Sequence, residues 1–314
     1  MGVKMIFEPG KVVTWDELSR YECHTIAVDG YCAGSPNFNE DRVILNINHH
    51  EGVNRQATRS SCDQALVLVK LGLFKSFCNP NGKPRATLYC NDCDPDVVLT
   101  TYILKHPQYA DRPKLKTLVR IEDLMDMSGG FFPVKRRWHL VRQLAWITES
   151  YDQARRDGGL LSLDGQGMLE LVRSMHRRVT LVLFGKVKEI DINTKFEVMH
   201  DGGLWKMVRE IGPHARIGMV EHGIEAFVAL VGQRDGRFRY SLGRVSQFIP
   251  FPMSDIFDAL NQAEGIGPEE HDRWGGGNGI GGSPRNLLSA LPPAEVCRIV
   301  GEVVRRHQRR CCPG

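Results

Sequence analysis

The stretch Cys90-Asn91-Asp92-Cys93-Asp94-Pro95-Asp96 limits what this chain can fold into more than any other. Ala86 to Cys90 reads as a short strand, and Val97 to Leu104 reads as the start of a helix. A strand-to-helix turn sets its side chains at the carboxyl edge of a sheet, where open α/β folds place their sites. Three carboxylates crowded there repel one another unless a cation neutralises them. Oxygen-rich clusters suit hard divalent ions such as Mg²⁺ or Mn²⁺. A polar turn with helix N-cap aspartates accounts for the same residues, so other parts of the chain must decide.

Three further apolar runs end in polar side chains. Thr25 to Val28 leads into Asp29, with Gly30 and Gly34 following so that the backbone turns sharply. Val43 to Ile47 leads into Asn48-His49-His50, and imidazole is both a metal ligand and a proton carrier. Thr117 to Ile121 is expected as a fourth strand, ending in Glu122-Asp123 with Asp126 beyond. Asp29, His49, Asp94 with Asp96, and Asp123 thus each follow a β-like run, a pattern that points to one convergent site for a pair of metal ions. Between the second and third of these sites, Ser60 or Ser61 is expected to cap a helix from Cys62 to about Leu73.

The remaining chain suggests scaffold. Residues 137–183 are helical in pattern and read as a connector. Beyond Phe184 come short strands, with a hairpin signal at Arg234-Asp235-Gly236. Helices are expected from Met253 to Ala263 and from Pro293 to about Arg306. Between them, "HDRWGGGNGIGGSPRN" reads either as a flexible linker or as a loop bringing backbone N–H groups to an anion, aided by Ser283 and Arg285. The expected class is α/β: a parallel-sheet metal-binding domain over 1–150, a helical connector over 151–200 and a smaller α/β domain over 201–314.

At 314 residues, two domains fit the length. The net charge of +4 matches the excess in the tail Arg305–Arg310 and is too small to imply nucleic acid. No aromatic-basic stripe of the kind a single strand needs is present. Nine cysteines at irregular spacing, with no apolar run near the length of a membrane span, suggest free thiols in a reducing, cytoplasmic setting. Cys90 and Cys93 form a CxxC without a second pair, which argues against a zinc ribbon. Cys311-Cys312 receives no role.

The "NHH" at a strand end, the Asp-x-Asp of "DCDPD" and the C-terminal "GGGN" loop resemble the DHH phosphoesterase superfamily with its DHHA1-type second domain. The resemblance implies a hydrolase that cleaves a phosphoester or phosphoanhydride bond with a hydroxide activated by two ions, usually Mn²⁺, alternatively Mg²⁺. It implies metal ligation by Asp29, which would bridge the ions and share in catalysis, and by His49, Asp94, Asp96 and Asp123. His50 would assist substrate or leaving group. Arg244, Gly275, Gly276, Gly277 and Asn278 would contact a small phosphorylated or nucleotide-like substrate, with Arg285 nearby; a homodimer is left open. The chain departs from the pattern at three places: Asn48 replaces an aspartate, and Cys90 and Asn278 each replace a histidine. The Asp-x-Asp also follows the His-His, as in a circular permutation. Cys90 as thiolate, or Asp92, is then a candidate replacement ligand. The same departures fit two alternatives, a ligand-binding protein without turnover and a metal hydrolase acting on a non-phosphate bond.

Overall fold

The computed structural model describes residues 2–186 and 188–311, so Cys312 lies outside the described residues. The chain is α/β and forms two units. The first holds the residues up to Met127 together with Val134–Ile192; the second holds Ser128–Pro133 and the residues from Asn193 on. Among the described residues no helix is long and apolar enough to cross a membrane.

The first unit runs β1 (Val3–Phe7), α1 (Trp15–Leu18), β2 (Thr25–Val28), β3 (Asn37–Asn39), β4 (Ile44–Ile47), α2 (Ser61–Lys70), β5 (Ala86–Cys90), α3 (Pro95–Lys105), α4 (Pro113–Met127), α5 (His139–Arg156) and α6 (Gly165–Leu183). Its sheet has the order β1-β5-β2-β4-β3. The first four run parallel and β3 is antiparallel at one edge. Every residue of β2 and β4 is buried, as expected of strands covered on both faces. Register pairs Val28 with Ile47 and Ala27 with Tyr89. The carboxyl ends of β2, β4 and β5 therefore lie side by side, which sets Asp29, Asn48 and Asn91 along one edge.

Two expectations need correction here. Thr117–Ile121 is not a strand but the middle of α4. Leu115, Leu118, Val119 and Glu122 are all buried there, the spacing of one helix face, and that period outweighs the β-branched residues between them. Thr14 and Glu17 form a capping box that starts α1. The helices expected to be a connector, α5 and α6, belong to the first unit. Gly165 opens α6 so close to β1 that a Cβ there would meet the Phe7 carbonyl oxygen at 2.1 Å.

The second unit runs β6 (Phe196–Asp201), β7 (Lys206–Glu210), α7 (Ala215–Glu221), β8 (Ala226–Arg234), β9 (Arg237–Arg244), α8 (Met253–Glu264), β10 (Gly275–Gly276), β11 (Ile280–Gly282) and α9 (Pro293–Cys311). The sheet order is β10-β11-β9-β8-β7-β6. The β8–β9 hairpin turns at Asp235 and Gly236, with φ of 50° and 75°, the left-handed pair that suits strand twist. Side chains alternate along β8. Ala226, Val228 and Leu230 join Trp205, Leu242, Phe257 and Val300 in one core, while Phe227 and Ala229 join Phe131 and Met219 in another. The glycine-rich stretch is not a linker: β10 and β11 form an antiparallel hairpin at the sheet edge.

Candidate metal centre

The centre is built from the carboxyl ends of β2 and β4 and from two helices. Asp29 follows β2 in the left-handed region, φ 42°, a conformation that Asp tolerates better than most residues. Gly30, at φ 67°, leaves room for the His50 ring, whose Cδ2 would stand 3.3 Å from a Cβ at that position. Asn48 then ties the two loops together. Its Oδ1 accepts from Gly30 N at 3.1 Å and His50 N at 3.0 Å. Its Nδ2 donates to Cys32 O at 3.1 Å and Gly34 O at 2.9 Å. All four hydrogen-bonding positions of the amide are filled. A carboxylate would turn an oxygen toward two carbonyls, so the amide at this position serves the scaffold.

His49 is the centre of the arrangement and fully buried. Its Nε2 lies 2.8 Å from Asp126 Oδ2, 3.2 Å from Asp29 Oδ1 and 3.8 Å from Asp96 Oδ2. None of these meets hydrogen-bond geometry, and Nδ1 also lacks a partner. Burial opposes the imidazolium, but the Asp126 and Asp29 carboxylates outweigh it and push His49 up to about 10. A second buried histidine shows the contrast. His176 Nε2 lies 3.0 Å from both Thr101 Oγ1 and Val98 O, and burial pushes it down to about 3, the state of a satisfied core residue. His50, 35% exposed, places Nε2 2.6 Å from Asp29 Oδ1. Burial would raise the Asp29 carboxyl; its contacts with His49 and His50 hold it well below the usual carboxylate range.

The carboxylates divide into two kinds. Asp94 is the N-cap of α3 and accepts from Val97 N at 2.9 Å. Asp96 accepts from Ser61 N and Cys62 N, both at 2.8 Å, and so caps α2 from outside, while also facing His49. Burial, then Asp126 and Asp29, push Asp96 up to about 6. Burial and the neighbouring aspartates also raise Asp94, Asp29 foremost among them. Asp123 accepts from Ser60 N at 2.8 Å and Arg120 Nη1 at 2.7 Å. Ser60 is the N-cap of α2, as expected, but makes no side-chain cap bond; Asp123 and Asp96 accept from the first amides instead. Asp126, one turn beyond Glu122, is the α4 carboxylate that reaches His49.

Two groups of donor atoms are close enough to hold an ion: Asp29 with His49 and His50, and His49 with Asp96 and Asp126. The structure brings together Asp29, His49, His50 and Asp96 from the expected set. Asp94 stands beside them, and Asp123 is turned to α2. Asp126 was not singled out from the sequence because its helix was read as a strand; as a helix, Leu115, Leu118, Glu122 and Asp126 share one stripe. Cys90 is buried at the end of β5, and burial with Asp29 and Asp94 pushes its thiol well up, so the thiol keeps its proton and is a poor ligand. Asp92 Oδ1 accepts from Cys93 N at 2.6 Å.

His49 is paired by charge with three carboxylates but hydrogen-bonded to none of them, and a metal ion held at Nε2 would take the place of its proton. The donor set of carboxylate oxygens and imidazole suits Mn²⁺ or Mg²⁺. The residues present therefore fit a divalent ion.

In the second unit, Arg244 Nε donates to Asn278 O at 2.8 Å and Nη1 donates to Ile249 O at 3.0 Å. Gly275 and Gly276 lie in β10, Gly277 N donates to Ile280 O at 2.9 Å, and Asn278 is exposed. Ser283 Oγ accepts from Tyr240 N at 3.0 Å, and Arg285 N donates to Asp272 at 2.6 Å.

Fold and centre together define an α/β protein with a buried Asp–His cluster compatible with divalent metal binding. No protein-family model matches the chain, and no curated protein matches it. Among solved structures it is similar to an exopolyphosphatase-related protein from Bacteroides fragilis. Identity is 12% and the TM-score 0.32, over 94% of this chain and 76% of that one, a likeness too slight to support a functional conclusion.

Proposed function

We propose that the first unit is the catalytic part of a divalent-metal-dependent hydrolase that cleaves a phosphoester or phosphoanhydride bond. The observation that carries this reading is His49 Nε2: buried, faced by Asp126, Asp29 and Asp96, and hydrogen-bonded to none. Asp29, His49, Asp96 and Asp126 would hold the metal, with Asp94 close by. The resemblance to two-metal phosphoesterases favours a pair of ions, Mn²⁺ or Mg²⁺, with His49 serving one of them and Asp29, close to both His49 and His50, available to either. Such ions, when bound, lower the pKa of water and draw charge from phosphoryl oxygens.

The chain's own groups supply the rest. His50 is half-exposed, and the Asp29 carboxylate orients its ring, so it is suited to carry a proton between substrate and solvent. Asp29 would orient His50 and hold metal together. Arg244, Gly275, Gly276, Gly277, Asn278 and Arg285 are proposed as binding groups of the second unit for a small phosphorylated molecule. The alternative reading, a ligand-binding protein without turnover, rests on Asn48, Cys90 and Asn278, and of these Asn48 has all its hydrogen-bonding positions filled by the scaffold.

The test is metal content after dialysis against Mn²⁺, followed by a phosphoester and pyrophosphate screen. Wild type should retain close to two ions per chain. Asp126→Asn and Asp94→Asn should each lower both metal content and turnover by at least about tenfold. Wild type that retains no divalent ion, or Asp126→Asn with unchanged turnover, would sink the proposal.

A further inference from the structure

The loop between β4 and α2 brings a second charged group to the centre besides His50. The Arg55 side chain is 19% exposed. Its Nη2 lies 3.0 Å from the Asp126 main-chain oxygen and 3.2 Å from Asp126 Oδ2. The same Oδ2 stands 2.8 Å from His49 Nε2. Arg55 therefore sits on the outer side of a carboxylate whose inner side faces the histidine.

A single nitrogen makes both of these contacts. Arg55 Nε is buried and has no partner. An unpaired buried N–H of a charged group is costly and rare. Arg–carboxylate pairs are frequently bidentate, with two parallel N–H bonds. Arg55 instead meets Asp126 through one nitrogen and keeps donor capacity unused beside the centre. The centre also has an electrostatic problem, since carboxylates from Asp29, Asp94, Asp96 and Asp126 repel an anionic substrate. A guanidinium at their margin is the group that offsets it, and its planar fork matches the oxygens of a tetrahedral oxyanion.

We propose that Arg55 is the oxyanion contact of this centre: its spare N–H groups take oxygens of a phosphoryl group beside Asp126. The substrate class rests on the phosphohydrolase reading. Charge on the transferring group would be stabilised there without a change in Asp126 itself.

Two titrations on the full chain test this, Mn²⁺ into the protein and then inorganic phosphate into the Mn²⁺-saturated protein. Arg55→Gln should leave Mn²⁺ affinity within about threefold and weaken phosphate about tenfold to a hundredfold, the loss of a charge-assisted hydrogen bond. Arg55→Lys should restore part of it, since an ammonium keeps the charge but not the fork. Unchanged phosphate affinity in Arg55→Gln overturns the proposal. So does a parallel loss of Mn²⁺ affinity and melting temperature, which makes Arg55 a brace for Asp126. If wild type binds no Mn²⁺, the metal reading fails by itself. Phosphate titrated into that protein still decides: Arg55-dependent binding supports the oxyanion contact, and none overturns it. Phosphate binding with no phosphoester turned over sinks the hydrolase reading and leaves Arg55 judged by the same titration.

Discussion

The strand-edge cluster of the first unit and the glycine hairpin of the second both attract attention in the sequence, yet they hold their polar groups in opposite states. In the cluster, both nitrogens of His49 and the Nε of Arg55 lack partners, and Asp94 and Asp96 are pushed upward. In the hairpin region, Arg244 is bonded to two carbonyls, Ser283 to Tyr240 N and the Arg285 N–H to Asp272. Polar groups that satisfy one another hold a fold together, whereas buried groups left unsatisfied call for something from outside. By that standard the first unit holds the stronger site.

The comparison is broken most directly at Asn48, the satisfied residue inside the unsatisfied region. Asn48→Asp should destabilise the protein by about 3 kcal/mol or more, because a buried carboxylate would face the Cys32 and Gly34 carbonyls. Urea unfolding measures this. A stable variant with tighter metal binding would show that Asn48 replaces a ligand after all.

The next effect is on pH. Asp96, raised from 3.8 to about 6, binds a proton more tightly folded than unfolded. Its stabilisation is present below about 4 and is lost as pH rises through 6. His49, raised from 6.5 to about 10, acts in the same sense at higher pH. The metal-free protein should therefore lose melting temperature between pH 5 and pH 9, and the gain from added Mn²⁺ should grow over that range, since metal replaces those protons. A gain that is flat with pH would detach the ion from Asp96 and His49. The smallest effect is expected in the second unit: Ser283→Ala should cost about 1 kcal/mol and leave Mn²⁺ affinity unchanged. A change in metal affinity there would erase the distinction between the two regions.

Much of the fold was legible. Thr25–Val28, Ala86–Cys90, the turn at Asp235-Gly236 and the helices from Met253 and Pro293 follow from local pattern and turn chemistry. The misreading of 117–121 came from weighing five residues instead of the fifteen of α4, whose period only shows over its length. That error directed attention to Asp123, which meets Ser60 N and Arg120, and away from Asp126, which faces His49. The division between capping and facing carboxylates was not legible at all. Asp96 and Asp123 reach α2 over 35 and 63 residues, and no local spacing encodes which amide a distant carboxylate will meet.

Those same contacts bear on how the chain reaches this state. Ser60 makes no side-chain cap bond, so α2 begins without local support, and the amides of Ser60, Ser61 and Cys62 wait for partners from α4 and α3. Closing loops of that length precedes any reward from the bonds. The first turn of α2, and the metal-facing edge that depends on Asp96 being held there, is thus a late product of folding, formed after three helices have met rather than before.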